Sequence, residues 1–147
     1  MDTPRGALSG LYQRLPARFP PLYEQLVLSY RWAEVDLDLV TLLANPLGMD
    51  LSGLSEAIFR DPGLAEVLLP NGLLQFGKGG GGHYDPICFD IGARRKQGDT
   101  PVVRIDHEEI LCNHRIKVTR LIAPTFRALM EAIIARATDA GTPKRAL

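Results

Sequence analysis

Leu22, Leu26, Val27 and Tyr30 fall on one side of a helix wound at about 3.6 residues per turn. Pro20-Pro21 ahead of them can open that helix, because proline lacks an N–H that a first turn would leave unused. The spacing predicts a helix ending near Trp32. Val35, Leu37 and Leu39 then alternate with Asp36 and Asp38, the period of a half-buried strand. Helical spacing returns over 50–60 with Leu51, Leu54 and Ile58. Asp61-Pro62 then supplies an N-cap and a first-turn proline for another helix, whose apolar face is Leu64, Val67 and Leu68.

The turn signature Pro70-Asn71-Gly72 opens a different second half. Short strands are predicted over 73–76, 84–91, 100–106 and 115–120. Ile87, Phe89 and Ile91 share one face, as do Val103 and Ile105. The segments 84–91 and 100–106, separated by the polar stretch 92–99, suit a hairpin within one sheet. Ala123-Pro124-Thr125 starts a closing helix, with Phe126, Leu129, Met130, Ile133 and Ile134 on one stripe. Helices, then strands, then a helix is an α+β order: a single domain, with a mixed or largely antiparallel sheet and helices packed mainly on one face. The core is expected over about 15–138, with flexible ends at 1–10 and 140–147.

Composition narrows the function classes. The 147 residues are 46% hydrophobic and 23% charged, the balance of an ordinary globular domain. Lys plus Arg and Asp plus Glu number 17 each, so no global field steers the chain to phosphate backbones or anionic lipid. Neither nucleic acid nor a membrane is expected as a partner. No apolar run is long enough to span a bilayer, and Met1-Asp2-Thr3-Pro4-Arg5-Gly6 lacks the plan of a signal peptide, so a cytoplasmic location is expected. Cys88 and Cys112 are therefore read as free thiols.

Three segments invite a chemical reading. Gly77-Lys78-Gly79-Gly80-Gly81-Gly82 leads into a strand and lacks the Lys-then-hydroxyl sequence of a phosphate loop. It reads as a flexible or tight connector that lets the chain move or lets two backbones approach closely. His83, Asp85, Cys88 and Asp90, with Asp106, His107, Glu108, Glu109, Cys112 and His114, are metal-ligand types, but paired zinc spacings are missing and no metal or other cofactor is expected. A Cys–His nucleophile pair lacks an elbow motif, so no catalytic residue is assigned. Trp32, Tyr30 and Tyr84 are either core residues or exposed interface anchors.

His83-Tyr84-Asp85-Pro86-Ile87-Cys88-Phe89-Asp90, followed by Pro101-Val102-Val103-Arg104-Ile105-Asp106-His107-Glu108-Glu109-Ile110-Leu111, resembles the core signature of the SUKH superfamily. The helix leading to Trp32 and the closing helix after Ile122 are also similar, so the resemblance covers about 15–138. It implies a curved sheet flanked by helices and a protein that binds proteins without catalysis: a bacterial immunity protein covering a cognate toxin, or an adaptor like the fungal cell-wall regulator of the same group. It brings no catalytic residues. Trp32, Asp85, Cys88, Asp90, Asp106, His107 and Glu108 then belong to the structural motif. The neutral net charge departs from the acidic inhibitors that basic nucleases attract, which argues against a nuclease partner.

The expected partner surface is the rim near the glycine segment: Lys78, His83 and Tyr84, with Arg94 and Arg95 on the hairpin loop adding charge for steering. The chain is expected as a monomer or weak homodimer. Two readings compete with a binding module. One is a small metal protein or hydrolase built on 83–90 and 106–114; the other is a domain holding a small ligand behind the glycine segment, for which a large apolar pocket with convergent polar groups would speak.

Overall fold

A computed structural model of the protein describes residues 6–46, 51–93 and 100–141. Among them six strands, β1 (Val35–Asp36), β2 (Val40–Leu42), β3 (Leu73–Gly79), β4 (Pro86–Asp90), β5 (Val102–Ile105) and β6 (Val118–Ala123), form one sheet in chain order. Every pairing is antiparallel, so the sheet is a meander. The helices are α1 (Gly6–Tyr12), α2 (Pro21–Ser29), α3 (Ser52–Ile58), α4 (Pro62–Leu68), α5 (His107–Asn113) and α6 (Phe126–Gly141). The α+β class follows the predicted order, and none of these helices is long and apolar enough to cross a membrane.

The local signals act where their chemistry requires. Asp61 accepts a hydrogen bond from the Leu64 N–H and caps α4, and Thr125 Oγ1 accepts one from the Ala128 N–H at the start of α6. The predicted hairpin pairs Ile87 with Arg104, Cys88 with Val103 and Phe89 with Val102. The strand predicted over Val35, Leu37 and Leu39 is instead a hairpin. Asp36 Oδ1 accepts from the Asp38 N–H, and Asp38 turns the chain at φ 74°, a left-handed backbone that aspartate tolerates better than most residues. The alternation was a turn signal inside an apparent strand.

The core lies on both faces of the sheet, which corrects the expectation of helices mainly on one. On the first face, α2 and α6 enclose Phe19, Tyr23, Phe76, Phe89 and Phe126; Phe76 and Phe89 stack with ring centroids 4.1 Å apart. Each such fully buried aromatic contributes roughly 2–3 kcal/mol. On the second face, α4 and α5 cover Leu73, Cys88, Val103 and Ile105 with Leu64, Val67, Leu68 and Ile110. Central strand β4 is buried from Pro86 to Phe89, so its two faces are both apolar and each needs a cover. Leu8 and Leu11 of α1 also join the first core, so ordered packing begins ahead of residue 15. Residues 1–5 and 142–147 lie outside the described residues.

Glycine is required where β3 meets the β1–β2 hairpin. A Cβ on Gly77 would come within 2.6 Å of Val40 Cγ2, and one on Gly80 would collide with the Asp38 carbonyl oxygen. The Gly81 N–H donates to Asp36 Oδ2. The glycine segment is thus a close backbone approach, the second of its two predicted roles, and Gly80 is no adaptable linker residue.

Candidate functional site

Strand β5 ends at Ile105 and α5 begins two residues later, so Asp106 becomes the N-cap between them. Its Oδ1 accepts from the backbone N–H groups of Glu108, at 3.0 Å, and Glu109, at 3.3 Å. This places His107 at the first turn, facing the start of β4. There Asp85 precedes Pro86, which opens the strand without an N–H to donate. Asp85 gathers three bonds: Arg104 Nε donates to Oδ2 at 2.8 Å, while the His107 backbone N–H (3.1 Å) and Nδ1 (2.7 Å) meet Oδ1.

Burial alone would raise the Asp85 carboxyl's pKa, but the bonds from His107 and Arg104 outweigh it and hold the group below its ordinary value. Asp85 is therefore an anion, and an anion only accepts. The proton on this side of the imidazole sits on Nδ1, which leaves Nε2 without a hydrogen bond among the described residues. One ligand atom each from Asp85, Asp106 and His107 lies within 4.8 Å of the others, a geometry that could suggest a cation site. The three residues are already engaged with one another and with their surroundings: His107 and Arg104 bond to Asp85, backbone N–H groups bond to Asp106 Oδ1, and the Arg104 guanidinium supplies positive charge beside Asp85.

Beside this hub the second face of the sheet is left open between α3–α4 and α5, forming a cleft of ≈ 480 Å³. Gln75 and Lys78 of β3 lie along it, Arg60 and Leu64 line one wall, and His107 and Leu111 line the other with Tyr84. Lys78 Nζ is 3.3 Å from Glu34 Oε1, so this cation is already partnered. Tyr84 is 70% exposed, with its ring centroid 6.0 Å from that of His107, and Leu111 is 50% exposed. The cleft thus offers an aromatic face, an aliphatic contact and an imidazole nitrogen held in place from behind.

Of the predicted rim residues, Lys78 and Tyr84 meet in this cleft. His83 is exposed on the same turn, with its Cβ so near Gly79 that a Cβ there would approach to 2.8 Å. Arg94 and Arg95 lie outside the described residues. Among the motif residues, Trp32 is half-buried, donating its indole N–H to the Leu43 carbonyl at 2.8 Å. Cys88 is fully buried in the second core, and burial raises its thiol pKa far above the ordinary value. Asp90 is half-buried at the end of β4, and Glu108 is exposed in the first turn of α5, where the helix dipole favours a carboxylate. Tyr30 is 63% exposed and takes the surface option rather than the core one.

Sequence reading missed Arg104 as the partner of Asp85, although a cation between Val103 and Ile105 interrupts an otherwise apolar strand. It also missed Arg60, Gln75 and Leu111, whose meeting depends on how α4 and α5 pack. No family model matches this chain, and no curated protein or solved structure matches it.

Proposed function

We propose that this chain is a protein-binding module of the immunity or adaptor type implied by its SUKH resemblance, acting in the cytoplasm by gripping a partner segment in the cleft beside Tyr84. The exposure of Tyr84 and Leu111 along one wall of a preformed cleft carries this reading. Large apolar groups flanked by charges, on rigid elements, have the composition of interface anchors. The Asp85 hub supports the reading by fixing α5 and the His107 ring before any partner arrives, which lowers the ordering cost of binding. Binding then blocks the partner by covering it, and no reaction is needed.

Photo-crosslinking from position 84, followed by calorimetry with the purified captured protein, tests this. Tyr84→Ala and Leu111→Glu should each weaken binding by about tenfold or more, with unfolding midpoints unchanged. Unchanged affinity in both variants removes the cleft as the gripping surface.

A second reading rests on the same cleft, whose volume lies in the range of small-molecule sites. It is favoured if ligand-observed NMR finds small acids or aromatics held against Tyr84 and His107 while crosslinking captures no protein.

A further inference from the structure

The two edges of the sheet differ. At one end β1 is two residues long. At the other β6 is six residues long, four of them in a row exposed, and among the described residues no strand covers its outer side. Leu121 lies opposite Val103 and Val118 opposite Ile105, and residues directly opposite in a ladder point to the same face. Val103 and Ile105 belong to the second core, so Leu121 and Val118, 60% and 50% exposed, carry that apolar face beyond its cover.

Charge selects the occupant. From His114 to Ala123 there is no acidic residue, but there are Arg115, Lys117 and Arg120, in a chain of zero net charge. Arg115 is bound to Glu109, whereas Lys117 and Arg120 form no ion pair among the described residues. A second copy pairing through the same edge would set these cations against their equals. A polyphosphate would meet the cations but leave Val118, Leu121 and the open backbone groups unmatched. An extended acidic segment with alternating apolar side chains satisfies all three features.

We propose that β6 is a second docking surface, separate from the cleft, and that it accepts an extended acidic protein segment as an added antiparallel or parallel strand. Register shifts between Val102 and Val103 and between Arg104 and Ile105 leave Ile122 and Thr119 as extra residues on β6. They bend the edge and keep the added ladder short, so affinity is modest and sensitive to salt.

The test uses the whole chain and two capped octapeptides, one alternating valine with glutamate and one alternating valine with lysine. Amide shifts and hydrogen exchange are followed by NMR. The glutamate peptide should shift and protect amides within 118–122 and leave those around Tyr84 unchanged. The lysine peptide should do neither. Lys117→Glu and Arg120→Glu should each weaken the glutamate peptide about two- to fivefold, and Tyr84→Ala should have no effect. Since both basic residues are exposed, the fold should survive these changes, as far-ultraviolet circular dichroism would verify. Equal binding of both peptides, no protection in β6, tripolyphosphate binding with the same protection, or self-association through β6 in sedimentation would each overturn the proposal. Loss of cleft binding with intact peptide binding would overturn only the proposed function.

Discussion

Replacing Asp85 by asparagine tests the hub that holds β4, β5 and α5 together. The carboxylate accepts one bond from Arg104 and two from His107. An amide keeps one acceptor oxygen, so its NH₂ must face either the guanidinium N–H or the His107 backbone N–H, and one pairing becomes donor against donor. A charge-assisted hydrogen bond contributes about 1.5–3 kcal/mol. The side chains of Asp85 and Arg104 are 18% and 25% exposed, so water recovers part of the loss. Asp85→Asn should cost about 2 kcal/mol at pH 7, lowering Tm by about 4–8 °C for a domain of this size. The sign with pH follows from the depressed carboxyl. Its contribution is present above the unfolded value of about 4 and is lost as pH falls through the lower folded value, so the gap between wild type and variant should shrink in acid. Urea unfolding at pH 7, 5 and 3, with equal slopes for both proteins, measures this. A variant within 0.5 kcal/mol of wild type at pH 7, on the order of experimental scatter for a neutral surface change, would refute the reasoning, as would a gap as large at pH 3 as at pH 7.

Four further outcomes are expected. Gly80→Ala should destabilise by about 1–3 kcal/mol, because its methyl meets the Asp38 carbonyl oxygen, whereas Gly81 has open space around it but a left-handed φ of 73°; urea midpoints of the two alanine variants check this. Tyr23 is fully buried and its hydroxyl has no partner among the described residues, so Tyr23→Phe should stabilise by about 1 kcal/mol in urea unfolding; a loss of that size would mean that the hydroxyl is satisfied. Burial also raises the Tyr23 pKa, so wild type should lose stability as pH rises past about 10 and the variant should lose less. Cys112 is exposed and Cys88 buried, so a thiol reagent should modify one cysteine rapidly and the second only at the rate of unfolding, as mass spectrometry would resolve.

Local chemistry was the legible part of this fold. Asp61-Pro62 and Ala123-Pro124-Thr125 announce helix starts through groups within four residues of each other, and the β4–β5 hairpin follows from two alternating segments and a polar gap. Helix α5 was harder to see: seven residues with one fully buried side chain, Ile110, give almost no period, and only Asp106 before Glu108-Glu109 hints at its cap. Site residues divided the same way. Tyr84 and Lys78 adjoin the glycine turn and could be picked from the chain alone. The cleft that joins them to Arg60, His107 and Leu111 exists because α4 and α5 cover only part of a sheet face, and that coverage is set by tertiary packing.

Strand order in space copies strand order along the chain, and this bears on how the protein reaches its fold. Strands β3 to β6 can zip by successive hairpin closures or the short crossover through α5. Pairing β2 with β3 must instead bridge the whole excursion through α3 and α4, so its closure entropy is larger. The natural nucleus is the β3–β6 meander, with the β1–β2 hairpin recruited late onto Gly77 and Gly79. Substitutions in that hairpin should then act mainly on the unfolding limb of a chevron, and those in β4 and β5 on the folding limb.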